Sequence, residues 1–225
     1  MNRSHTNSHS ESGFSLIELV ISMGIMVLLM TAASVLLASS FAIRNRENQR
    51  SAAIADAQRA LNMMSREIAN AGYGLSSNGI VAGGDSGLTQ IRVRSDLDLS
   101  GATNGTNEDI KYVLVNDANG SFIVRLNLQP AQSTGLIANR IDGMSIYYYD
   151  QRVTYTLGAG VISNVLNSSG AVQAPVTPDS AKYVVLVLRV TLPAVGTPGS
   201  SGYQPAAATQ LASTITLRNS NLDKF

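Results

Sequence analysis

Residues 13–43 read GFSLIELVISMGIMVLLMTAASVLLASSFAI. From Leu19 to Ile43 the run carries no charge for 25 residues. About 20 mainly apolar residues suffice to cross a bilayer's hydrocarbon. Twelve of the 25 are Leu, Ile, Val or Phe, which favours insertion by about 5 kcal/mol in total. A cleaved secretory signal would have a shorter apolar core of ~7–15 residues before a small-residue cleavage site. The length, and the glutamate at its entrance, favour a retained span. Glu18 stands at the head of this span, where an unpaired carboxylate is costly and reads by default as functional. A helix N-terminus softens that cost, because it favours negative charge.

Working outward, the chain has no proline before Pro130, and Gly24 is the only glycine between Phe14 and Ala71. Nothing in that interval forces a helix to stop. Past Ile43 the pattern becomes amphipathic. Ile54, Ala57, Leu61, Met64, Ile68 and Ala71 recur at spacings of three and four, which places one apolar stripe toward a core. Gly72-Tyr73-Gly74 supplies the stop. One helix over residues 14–71 is therefore expected, with a break near Ser39-Ser40 as the alternative.

Beyond Gly74 the composition turns to Gly, Ser, Asn and Thr with short β-branched runs. Strands are expected at 89–94, 110–115, 121–127, 144–149, 152–157, 182–192 and 211–217. Asp117-Ala118-Asn119-Gly120 reads as a hairpin turn. The nearly continuous apolar stretch YVVLVLRVTL (residues 183–192) reads as a central strand covered on both faces. In Tyr147-Tyr148-Tyr149 the first and third rings share a face, which points to sheet packing. Residues 195–205 read as a loop. The fold class is α+β: a long N-terminal helix, membrane-spanning in its first half, packed on a C-terminal antiparallel β-sheet head.

The 225 residues carry 16 basic and 15 acidic side chains, a net charge of +1. No basic excess points to nucleic acid. There is no cysteine, which excludes disulfides and thiol nucleophiles. The only histidines, His5 and His9, lie within the first ten residues. The carboxylates are scattered through turns, and no enzymatic activity is expected. One cluster stands apart. Asp96-x-Asp98-x-Ser100-Gly101 places hard oxygen donors at alternate positions before a glycine turn, with Glu108 further on. That spacing is similar to the opening of a calcium loop. It equally suits a solvated Asp/Ser-rich turn: the twelfth loop position is Asn107, Glu108 comes one place late, and the flanks read as strands.

The string Gly13-Phe14-Ser15-Leu16-Ile17-Glu18-Leu19-Val20 resembles the type IV prepilin cleavage and methylation motif. The resemblance implies that a prepilin peptidase cuts between Gly13 and Phe14 and N-methylates Phe14. It implies that Glu18 pairs with the first-residue amine of a neighbouring subunit during assembly. Residues 1–13 would be the leader, 14–43 the membrane and filament-core helix, 44–74 its amphipathic continuation and 75–225 the head. With both histidines gone in the leader, the mature chain would have neither His nor Cys, and imidazole or thiolate chemistry would be closed to it.

The order of weaker motifs is similar to PilW-type minor pilins and to the J-type pseudopilin of type II secretion. These motifs are Glu67-Ile68-Ala69-Asn70-Ala71-Gly72-Tyr73, Glu108-Asp109-Ile110-Lys111-Tyr112, Ile146-Tyr147-Tyr148-Tyr149-Asp150 and Thr216-Leu217-Arg218-Asn219. The major-pilin cysteine pair is missing. The resemblance implies other minor and major pilins or pseudopilins as partners. It also implies residence in the bacterial inner membrane, with a periplasmic head, and then in a pilus or pseudopilus. A non-assembling, membrane-anchored binding module is the alternative of a different class. The basic residues conflict with the implied topology: Arg44, Arg46 and Arg50 follow the span, whereas the leader has Arg3 alone. By the positive-inside rule they would hold the C-terminal side in the cytoplasm. The motif decides the reading, because the peptidase must reach Gly13 from the cytoplasmic face.

Overall fold

The computed structural model describes residues 14–118, 120–139, 141–199 and 203–220. Among them the chain divides into two units. One comprises the residues up to Arg46 with those of 196–204; the other holds Glu47–Val195 and the residues from Pro205 onward.

A single helix, α1 (Leu16–Ala69, 54 residues), begins in the first unit and ends in the second. It starts two residues after Phe14 and stops two before the expected end. Ser39 and Ser40 lie inside it without a break. Its hydroxyls fold back on the helix: Ser22 donates to the Glu18 carbonyl at 2.7 Å, Ser34 to Met30 at 2.8 Å and Ser40 to Leu36 at 2.8 Å. Such back-bonding satisfies polar groups where no water is available. An 18-residue window of this helix has a mean hydropathy of 2.4 and is unburied, so by length and composition it is able to cross a membrane.

In the second unit the remainder of α1 becomes one wall of a core. Ala53, Ala57, Ala60, Met64, Ile68 and Ala71 are buried there. This differs from the expected stripe, since Ile54 and Leu61 are only half-buried while Ala53 and Ala60 take the inner positions. The inner line thus mixes small Ala53, Ala57 and Ala60 with large Met64 and Ile68, and Ile54 and Leu61 lie at its flanks.

Among the described residues the second unit also holds nine strands: β1 (Gln90–Arg94), β2 (Asp109–Asp117), β3 (Gly120–Asn127), β4 (Ser133–Asn139), β5 (Gly143–Tyr149), β6 (Val153–Gly158), β7 (Val161–Asn167), β8 (Tyr183–Leu192) and β9 (Ala207–Thr216). All pairings are antiparallel. They form a four-stranded sheet β1-β2-β3-β4, a three-stranded sheet β5-β8-β9 and the hairpin β6-β7. The expected antiparallel β-sheet head is divided among these three, and β4 and β7 are additional to the seven expected strands. The Asp117/Gly120 turn joins β2 to β3 as anticipated.

Strand β8 is central, and its two faces serve two cores. Val184, Leu186, Leu188 and Val190 join the helix-side core. Val185 and Val187 meet Tyr149 and Val153 beneath the β6-β7 hairpin. The tyrosine triplet divides the same way, Tyr148 toward the helix side and Tyr147 and Tyr149 toward the hairpin.

After Ala69 the chain turns through Gly72, at φ +79°, whose N–H donates to the Arg94 carbonyl at 2.9 Å. Carbonyls at a helix C-terminus lack helical partners. Here the segment after β9 supplies one: Arg218 N–H donates to Ala69 O at 3.1 Å, and just beyond the helix the Asn219 side chain donates to Ala71 O at 3.2 Å. Asn78, buried after the turn, donates to the carbonyls of Pro178 and Ala181, both at 2.9 Å.

Candidate functional site

Three groups of residues are candidates for function, and they begin at the N-terminus. Gly13 and the expected leader lie outside the described residues. Phe14 and Ser15 precede the helix, and Phe14 is exposed. The Ser15 carbonyl accepts the N–H groups of Glu18 at 3.0 Å and Leu19 at 3.2 Å, which opens α1. Glu18 falls in the first turn, where the unsatisfied N–H groups favour a carboxylate. It is exposed. Phe14, just before the helix, and the Glu18 carboxylate in its first turn are therefore both exposed.

The second group is the acidic loop between β1 and β2. Asp96, Asp98 and Glu108 bring carboxylate oxygens within 4.8 Å of one another. Asp96 and Glu108 are buried, and Asp98 is exposed. Each is also bound by the main chain. Asp96 accepts the N–H of Ser100 at 2.9 Å and of Gly101 at 2.8 Å. Glu108 accepts Leu97 N–H at 2.8 Å, Asp98 N–H at 3.2 Å and Gly105 N–H at 2.6 Å. Ser100 hydrogen-bonds to Asp98 through its hydroxyl and its N–H, and holds that carboxyl below the usual carboxylate range. The four residues singled out from sequence therefore do come together. Oxygens bound to one Ca²⁺ at 2.3–2.6 Å sit at most about 5 Å apart, so the three carboxylates span a distance one such ion can bridge.

The third group was not legible in the sequence. Arg92 donates to both oxygens of Asp109 at 2.7 Å and to Asp85 at 2.7 Å; Arg94 reaches Asp109 at 3.0 Å, and Lys111 reaches Asp85 at 3.0 Å. The Asp109 bonds hold the Arg92 guanidinium more firmly protonated than usual. Nearby, the Tyr112 hydroxyl donates to Glu67 on α1, Arg125 Nε donates to the same carboxylate at 3.1 Å, and Arg125 Nη2 bonds Asn107 at 2.9 Å. Burial, and then the Glu67 charge, push the Tyr112 hydroxyl pKa well above its ordinary value. These ion pairs fasten helix, sheet and loop to one another. Glu67, Asp109, Lys111 and Tyr112 fall within motifs quoted from the sequence, but the basic partners of Asp109 are known only once the register Arg94↔Asp109 is set.

Residues 8–34 match the family model of the prokaryotic N-terminal methylation motif. With a membrane-capable helix and an α+β, pilin-like architecture, this match supports a type IV prepilin-like protein, of the kind processed by prepilin peptidase and partnered by other pilin-type subunits. No curated protein sequence and no solved structure matches the chain.

Proposed function

We propose that this chain is a PilW-like minor pilin. It is cut between Gly13 and Phe14, held in the bacterial inner membrane by α1 with its head in the periplasm, and helps to initiate assembly of a type IV pilus. The observation that carries the reading is the methylation motif at residues 8–34 running directly into an unbroken helix. The missing cysteine pair supports a minor role over that of a bulk subunit. In this reading the protein is not an enzyme: it acts by packing α1 against its neighbours and by pairing Glu18 with a neighbouring first-residue amine. Mass spectrometry of the protein from its own cells tests this. The expected mature N-terminus is N-methyl-Phe14, and an intact leader would overturn the proposal. The J-type pseudopilin reading shares this processing and the order of motifs. Deletion separates the two: loss of pili supports the first, and loss of protein export with pili intact supports the second.

For the acidic loop we propose Ca²⁺ as the ligand, held by Asp96, Asp98 and Glu108 with Ser100 beside them. The reading is supported by three hard oxygen donors converging to within 4.8 Å. Thermal melting of the full chain in detergent, with and without millimolar Ca²⁺, provides the test. The expected result is a higher melting temperature with Ca²⁺, abolished by Asp98→Asn. An unchanged melt would leave the carboxylates as anchors for the loop's N–H groups alone.

A further inference from the structure

The two larger sheets of the head have four edge strands, and they are finished differently. The edge of β1 is taken by the segment after the helix: Arg94 N–H donates to Gly79 O at 2.7 Å and Val81 N–H to Arg92 O at 3.0 Å. β5 is likewise engaged, with Ile146 N–H on Leu88 O at 2.9 Å and Val176 N–H on Tyr148 O at 2.8 Å. β4 is short, follows Pro130 closely, and slips register against β3 at Ile123/Val124. Bulges and prolines of this kind discourage strand addition.

β9 has neither a covering segment nor a register slip, although Pro205 stands two residues before it. It pairs with β8 over ten residues, from Tyr183↔Thr216 to Leu192↔Ala207, without a register shift. It contains no charged residue and no proline. Among the described residues, its main chain bonds to no segment other than β8. Its side chains, by contrast, are committed on both faces. Ile215 and Leu211 pack in the helix-side core and Ser213 meets Ser65 of α1; Thr214 meets Tyr155 and Ala212 packs under the hairpin. What remains open is a row of main-chain N–H and C=O groups, whose complement is another extended strand.

We propose that the outer edge of β9 receives a β-strand from the head of a different pilin-type subunit, extending the β5-β8-β9 sheet across the subunit boundary. A second copy pairing β9 to β9 antiparallel would be related by a two-fold axis normal to the sheet. That operation reverses the α1 segment lying on the sheet, whereas copies anchored in one membrane need those segments to run the same way. A different subunit meets no such constraint. The uncharged edge selects a strand of small and β-branched residues. Its apolar side chains should fall beside Leu211 and Ile215, and its polar ones beside Gln210 and Thr214.

This inference rests on the reading of the chain as a filament subunit, and the experiment separates the two. A photo-crosslinking residue is placed singly at Ala208, Gln210 or Thr214 of the full chain in the cells that make it, with Leu136 on β4 as the control. Only variants that retain the wild-type melting temperature and the mature Phe14 terminus are scored. The expected result is adducts to one identified chain that carries its own N-terminal methylation motif. The contacted residues should step along that chain by the same number as the probe steps along β9, as two paired strands require. Adducts only to a second copy, adducts without that step, adducts at Leu136 equal to those on β9, or none in processed chains would overturn the inference. A failure of processing would instead overturn the proposed function.

Discussion

Asp109 shows how much a single side chain contributes once the strands have set its neighbours. Burial pushes its carboxyl up, but the guanidiniums of Arg92 and Arg94 more than reverse this and hold it below its ordinary value of 3.8. Because its pKa is lower folded than unfolded, its contribution is complete at neutral pH and fades as pH falls below about 4. Asp109→Asn should cost about 3 kcal/mol at pH 7, as expected for breaking a buried ion pair. Thermal melts should show wild type and variant converging as the buffer is taken from pH 5 to pH 3. This site was hidden in the sequence because Asp109 and its arginines are 15 and 17 residues apart. By contrast, Gly13, Phe14 and Glu18 are legible at once, since their spacing along the chain is itself what a peptidase or a neighbouring amine would read.

Among the elements, the long helix was the most legible, being a pattern of neighbours with no breaker from Ser15 to Gly72 apart from Gly24. Its inner line holds Ala57, Met64, Ile68 and Ala71 as expected, but at two positions Ala53 and Ala60 replace Ile54 and Leu61, which hydrophobicity alone favours. Strand β4 is hidden in the sequence because Ser133, Thr134, Gly135, Ala138 and Asn139 leave it only Leu136 and Ile137 as large apolar markers. Strand β7 is hidden because Asn164, at φ +49°, interrupts its alternation. The turn after α1 is the least tolerant element. Gly79 sits at φ +74°, and a Cβ there would lie 2.0 Å from Gly72 N and 2.4 Å from Arg94 O. Both obstacles are backbone, so Gly79→Ala should destabilise the head by about 3 kcal/mol, visible as a clear drop in melting temperature.

Across the whole molecule, an exposed apolar helix and a folded head call for different surroundings, and Glu18 stands where the helix begins. In the proposed assembly, Glu18→Ala should leave cleavage at Gly13–Phe14 and the melting of the head unchanged while lowering incorporation into filaments at least tenfold, measured by quantifying the chain in sheared filaments. Normal incorporation would remove the pairing role. The sequence by itself determined the membrane-capable run, the methylation motif, the amphipathic switch and the central placement of β8, because each is a local pattern of hydrophobicity or spacing. Only the tertiary structure decided that the head is three sheets, that Asp109 and Glu67 are the anchors of its ion pairs, that Arg218 and Asn219 meet the end of α1, and that β9 keeps an open edge among the described residues. Those features depend on strand register and on contacts between distant segments, and no single stretch of sequence encodes which partner it will meet.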